Sequence, residues 1–186
     1  MSSEIFISVD IEASGPIPGE YSMLSLGACV VGNAQENFYV ELKPITRNFE
    51  AEALAVAHLD LEELELRGVE PATAMRDFER WIARVTPRES LPVFVAYPLA
   101  FDWMFVAYYF HRFLNRNPFG ISGVDVKSFY AGMTGKSFIS SGKQDMEPAF
   151  FADVPLTHNA REDAIVQAEL FERLLKHSRL KARRCK

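Results

Sequence analysis

Residues 4–12 read EIFISVDIE. Ile5, Ile7, Val9 and Ile11 fall on one side of the alternation and Phe6, Ser8 and Asp10 on the other, the period of two that a β-strand requires. Asp10 and Glu12 stand two apart, so both carboxylates leave the strand on the same face. Side by side they repel, and a divalent cation between them turns that cost into attraction. Mg²⁺ and Mn²⁺ take oxygen ligands and keep some waters, which suits a site that must also hold a phosphate. Asp-x-Glu alone is common at solvated strand ends, so its weight depends on what accompanies it.

The chain continues with a Gly/Pro-rich loop at 15–19 and a second strand pattern, YSMLSLGACVV, at 21–31. Gly32-Asn33 is a turn signal, and ENFYVELKP reads as a third strand ending before Pro44. Three strands with short links predict an antiparallel meander. Helical patterns follow at 60–67 and at 71–85, the latter opening on Pro71 and carrying Met75, Phe78, Trp81, Ile82 and Val85 at helical spacing. LPVFVAY (91–97) predicts a buried strand, 100–114 an aromatic-rich helix, and SGVDV (122–126) a fifth strand followed by a short helix. Residues 135–157 read as loop, and a last helix starts near 159, where Asn159 and Glu162 fit a capping box. This order predicts an α/β fold, a mixed five-stranded sheet with helices packed on both faces.

At 186 residues the chain is long enough for one domain with a full core. We expect a single domain over 1–178 and a basic C-terminal tail at 179–186. No apolar run is long enough to span a bilayer, and the N-terminus has no signal-peptide pattern. Two isolated cysteines, Cys29 and Cys185, form neither a disulfide framework nor a zinc site, so the expected location is cytoplasmic. The net charge is −5, but the last eleven residues hold six Lys or Arg and no acid, leaving 14 basic and 25 acidic residues on the body. Such a body does not suit a broad grip on long duplex DNA; it suits a metal-rich site that handles a short single-stranded end.

Three more candidates carry chemistry. Asp102 opens the helix after the buried strand, with Phe105, Val106 and Tyr109 on its face. A carboxylate there must be paired, metal-bound or bonded to free backbone N–H groups. Asp163 falls in the first turn of the last helix, on the face of Val166 and Leu170, so it looks toward the sheet. His158 lies just before the cap. Imidazole titrates near neutral pH, so it can take a proton from an attacking water. Asp125 is read as the cap of the helix that follows it, and the aromatic stripe Trp103, Phe105, Tyr108, Tyr109, Phe110 and Phe113 as core or subunit interface.

Together SVDIEASG, VAYPLAFD and HNAREDA resemble the three motifs of the DnaQ-like DEDDh 3′–5′ exonucleases: Asp-x-Glu before small residues, a segment ending in Phe-Asp, and His-x-Ala-x-x-Asp-Ala. YSMLSLGACVV is similar to the family's second strand, and the resemblance spans roughly residues 4–175. It implies a ribonuclease-H-like fold and a metal-dependent exonuclease that releases nucleoside monophosphates from the 3′ end of single-stranded RNA or DNA. It implies Asp10, Glu12, Asp102 and Asp163 as ligands of two Mg²⁺ or Mn²⁺ ions and His158 as general base. One ion would activate the water and the other stabilise the leaving 3′ oxygen. Ala13 and Ser14 would meet the terminal 3′-hydroxyl through their backbone, and Met23 or Leu24 would pack against the terminal base. Small stand-alone relatives often dimerise, which makes a homodimer an expectation.

One departure stands out. The family's second motif carries His-Asn where this chain has Tyr97-Pro98. Proline cannot replace the side-chain hydrogen bonds of Asn, so substrate grip must differ, and Tyr97 either stacks on a base or completes the core. Two other readings compete: a non-catalytic nucleic-acid or protein-binding module on the same fold, and a phosphohydrolase with Asp10 as nucleophile. Retention of all four acids and the histidine opposes the first. The second would require Asp where Glu12 stands.

Overall fold

The computed structural model describes residues 3–146, residue 150 and residues 157–184. The elements, in chain order, are β1 (Ser3–Ala13), β2 (Met23–Val30), β3 (Asn33–Glu41), α1 (Ala51–Ala57), α2 (Leu61–Arg67), α3 (Pro71–Val85), β4 (Ser90–Ala96), α4 (Leu99–Leu114), β5 (Gly123–Asp125), α5 (Val126–Thr134) and α6 (Ala160–Arg184). Two short 3₁₀ turns, Ile139–Ser141 and Lys143–Asp145, lie between α5 and α6. The sheet order is β3-β2-β1-β4-β5. The β1–β2 and β2–β3 pairs are antiparallel, and the β1–β4 and β4–β5 pairs parallel. The predicted mixed five-stranded sheet is therefore present, with the predicted meander as its first half.

The alternation along β1 sorts its side chains between two cores. Ile7, Val9 and Ile11 pack with Phe78, Ile82, Phe105, Tyr109 and Phe110 of α3 and α4. On the opposite face Phe6 meets Phe171 of α6 edge-on, and Ser8 accepts a 2.8 Å hydrogen bond from the Gln167 amide. That amide also donates to the backbone carbonyls of Val9 and Val95. A buried donor satisfied by β1 and β4 together fixes the position of α6 over the centre of the sheet.

Gly27 fixes how closely α6 approaches. It pairs with Asp10 across the β1–β2 ladder, and a Cβ there would lie 2.1 Å from the backbone oxygen of Ala160. Only a residue without a side chain lets the first turn of α6 rest on β2. That close approach brings Asp163 beside Asp10.

α1 is an element the sequence pattern did not reveal; it follows Glu50, whose side chain makes no capping bond. The basic segment expected as a tail continues α6, which runs to Arg184. Among the described residues, no helix is long and apolar enough to cross a membrane.

Candidate active site

The four acids arrive from three elements. Asp10 and Glu12 end β1, Asp102 lies in the first turn of α4, and Asp163 in the first turn of α6. β1 overhangs its parallel neighbour: the β1–β4 ladder stops at Ser8 opposite Val95. Asp102 stands beyond that point, and its Oδ1 accepts the Ile11 N–H at 3.0 Å. The carboxylate takes over a ladder donor that β4 no longer reaches. A register shift between Glu12 and Ala13 marks a bulge where β1 leaves the ladder, a device that re-aims side chains at strand ends.

The α6 side is held as firmly. The Asn159 Oδ1 caps α6, accepting from Arg161 N at 3.2 Å and Glu162 N at 3.3 Å. Asp163 Oδ1 accepts from Thr157 N at 3.1 Å, so the segment that carries His158 is tied to this carboxylate through Thr157. His158 itself adopts a left-handed backbone, φ 53°. Ligand atoms of Glu12, His158 and Asp163 lie within 4.8 Å of one another.

The electrostatics are those of buried carboxyls crowded against one another. Burial pushes the Asp10 carboxyl well above the ordinary aspartate value, and the charges of Asp102, Glu12 and Asp163 add to the shift. Burial, then Asp163 and Asp102, raise Glu12 to about 8. Burial raises Asp102 to about 7, opposed by its hydrogen bond from Ile11. Carboxyls that resist ionisation near neutral pH are stabilised by nearby positive charge. The oxygen donors of these three carboxyls, with Asp163 beside Glu12, suit hard divalent cations.

A cleft of about 330 Å³ opens beside Glu12 and Ala13, walled by Gly15, Pro16, Glu50, Val56 and Phe101. It changes three expectations about substrate contacts. Met23 and Leu24 have no exposed surface. Helices cover both faces of the sheet, so β2 is buried on both sides from Met23 to Cys29. The Met23 backbone N–H is bonded to the Tyr109 hydroxyl at 2.8 Å. Ser14 is fully buried: its N–H donates to Ser22 O, its carbonyl accepts from Glu50 N, and its hydroxyl donates to Asn48 O. Of the expected backbone contacts only Ala13 borders the cleft. Tyr97 is half-buried, with its hydroxyl donating to Ser141 O at 3.0 Å and the Lys143 ammonium 5.0 Å from its ring centre.

Two expected structural roles are met. Asp125 caps α5, accepting from Ser128 N, and its second oxygen accepts from Leu99 N. Phe105, Tyr109 and Phe110 of the aromatic stripe are fully buried. Sequence reasoning missed Gln167, Gly27 and Lys143. The apolar spacing of α6 could have pointed to Gln167, since a polar residue there falls on the buried face.

Comparison with known proteins agrees with this geometry. The 3′–5′ DNA exonuclease Cap18 of Escherichia coli is 43% identical over 178 residues, covering 96% of this chain and 95% of that protein. The chain belongs to the DEDDh 3′–5′ exonuclease family. It is a nuclease of the ribonuclease-H-like fold. The nuclease domain of 3′hExo, a DEDDh member bound to rAMP, superposes with a TM-score of 0.75 at 10% identity, covering 94% of this chain and 93% of that one. E. coli exonuclease I with a dA16 oligonucleotide gives a TM-score of 0.68 at 15% identity; this chain spans 41% of its length. No family model matches the chain. The DEDDh fold implies divalent-metal use, and Glu12, His158 and Asp163 form a group whose geometry could hold an ion.

Proposed function

We propose that this DEDDh exonuclease removes nucleotides from the 3′ end of single-stranded DNA with two Mg²⁺ or Mn²⁺ ions. The observation that carries the reading is the convergence of Asp10, Glu12, Asp102 and Asp163 beside His158, at the edge of a cleft sized for a terminal nucleotide. DNA is favoured over RNA by the 43% relative, whose name specifies DNA. Single strands are favoured by the oligonucleotide in exonuclease I and by the acidic body of this chain.

When bound, the ions supply Lewis-acid polarisation of the scissile phosphate and charge for the departing oxygen. Asp10, Glu12, Asp102 and Asp163 would hold them. His158 takes the proton of the attacking water through a ring nitrogen and passes it to solvent; its position outside α6 leaves the ring free to turn. Ala13 and the apolar edge formed by Val56 and Phe101 receive the terminal nucleoside, with Glu50 within reach of its sugar hydroxyl. Tyr97, bonded to Ser141 O and lying under the Lys143 ammonium, positions a neighbour, not a base.

The test is digestion of 3′- and 5′-labelled single-stranded DNA, RNA and duplex DNA, with Mg²⁺, Mn²⁺ or EDTA. Stepwise loss of mononucleotides from the DNA 3′ end, abolished by EDTA, is expected. Cutting of a circular single strand would identify an endonuclease and overturn the assignment, and faster digestion of RNA would replace DNA as the substrate.

A further inference from the structure

Lys143 stands at the carboxylate centre without belonging to any of the three motifs. It opens the 3₁₀ turn Lys143–Asp145, and that turn is pinned from several sides. The fully buried Ser141 donates to Ser137 O at 2.8 Å and accepts from the Tyr97 hydroxyl at 3.0 Å. The Lys136 ammonium donates to Asp145 O at 3.0 Å. Met146 and Phe150, which follow, are buried against the α5–α6 core. The Lys143 side chain runs over the ring of Tyr97, five residues before Asp102.

Its charge faces three of the four acids. It acts on Asp10 and Asp102 to favour their ionised forms, and Asp10, Asp163 and Asp102 act in return on the ammonium. Among the described residues, it makes no ion pair with any carboxylate. A half-buried cation held 5.0 Å from the Tyr97 ring centre, whose charge bears on three acids while it is bound to no single one of the described carboxylates, is placed to meet a further anion.

Charge counting indicates which anion. Four carboxylates balance two divalent ions. A phosphodiester brings one more negative charge, and hydrolysis gathers more on its oxygens as the transition state forms. Among the described residues, Lys143 is the cation whose charge bears on Asp10, Asp102 and Asp163. Tyr97-Pro98 also removes the side-chain amide that the resembling second motif offers, and Lys143 lies against that altered pair.

We propose that Lys143 is a further catalytic residue, whose ammonium binds a non-bridging oxygen of the scissile phosphate while Tyr97 positions it. This rests on the exonuclease reading above. The lysine donates hydrogen bonds and charge; no bond to it forms or breaks, and it keeps its proton throughout.

The experiment compares the wild type with Lys143→Met, which keeps the aliphatic stem over Tyr97, and with Lys143→Arg, which keeps the charge. Binding of two cleavage-resistant oligonucleotides is measured by fluorescence anisotropy across a salt series. One carries a phosphorothioate at the terminal linkage, the other an uncharged methylphosphonate. Single-turnover rates on ordinary single-stranded DNA and calorimetric Mn²⁺ titrations accompany them. Lys143→Met should bind the phosphorothioate about 10–100-fold more weakly, the worth of one charge-assisted hydrogen bond. It should lose almost nothing on the methylphosphonate, and its log–log salt slope should be shallower by about 0.7. Lys143→Arg should recover most of the loss. Equal losses on both oligonucleotides, or none on either, would overturn the proposal in favour of a distant or a packing role. Faster turnover with tighter Mn²⁺ binding in Lys143→Met would overturn it too, because the lysine would then be competing with the ions. Wild-type protein that is inert toward every substrate counts against the exonuclease reading instead, so the two failures are distinguishable.

Discussion

The two walls of the site are built differently. On one wall, Asp10, Glu12 and Asp102 sit on β1 and the first turn of α4, and Asp102 is bonded into the backbone of the sheet at 3.0 Å. On the other, His158 and Lys143 come from a left-handed residue before a helix and from a 3₁₀ turn. Metal ligands must hold their geometry against mutual repulsion, which regular elements with buried cores provide. Groups that move protons or follow a phosphate need a short reach and a place outside such elements. Asp163 joins the walls, since it belongs to α6 and accepts the Thr157 N–H beside His158.

The largest effect expected comes from breaking that junction. Asp163→Asn keeps an acceptor for Thr157 but removes a ligand charge. Turnover should fall by about 10³-fold or more, since a bound divalent ion contributes several kcal/mol to transition-state stabilisation. Circular dichroism should show an intact fold, and retained activity at ordinary Mg²⁺ would refute the ligand assignment. On the second wall alone, His158→Ala should slow single-turnover hydrolysis by roughly 10²–10⁴-fold and leave Mn²⁺ affinity unchanged by calorimetry. A parallel loss of Mn²⁺ affinity would make the imidazole a ligand.

Gly27→Ala tests whether the walls are set by backbone contact. The added methyl must push α6 from β2, at a stability cost of about 1–3 kcal/mol, and a displacement near 1 Å would cost about 10²-fold in rate. Thermal melts and rates measured together should both drop. Normal activity in a stable variant would mean that α6 tolerates the shift.

The smallest effect separates the walls by pH. Glu12 rises from an ordinary 4.5 to about 8, and Asp102 from 3.8 to about 7. The folded, ion-free protein therefore holds protons that the unfolded chain has released. That contribution to stability is full below pH 4 and is lost as pH climbs through 7 and 8. The ion-free protein should melt progressively lower between pH 5 and pH 8.5, and saturating Mg²⁺ should flatten the profile. An ion-free melting temperature that does not fall over this range would remove the evidence for buried, proton-bearing ligands.

The sequence made the carboxylates and His158 legible and left Lys143 hidden. Asp10 and Glu12 declare themselves because strand periodicity puts both on one face. Pro71 and the apolar spacing that follows mark α3, which runs from Pro71 to Val85 as predicted. Met23 and Leu24 were read as base contacts because the apolar run of β2 fits a strand with one open side as well as the fully buried strand observed. α1 was missed because AEALAVA has no apolar stripe and no capping side chain. Lys143 was invisible for another reason. Its position depends on a hydrogen bond between Tyr97 and Ser141, 44 residues apart, and no local pattern encodes such a contact.

The bond from Ile11 to Asp102 makes one backbone amide a reporter of the site. Its acceptor is a carboxylate whose charge changes with protonation and with cation binding, so the strength of the bond changes with both. In a ¹⁵N-labelled sample the Ile11 resonance should move along one path during acid titration and along another during addition of Mg²⁺. A single peak in the middle of the sheet would then follow loading of the centre without a substrate, a dye or a substitution.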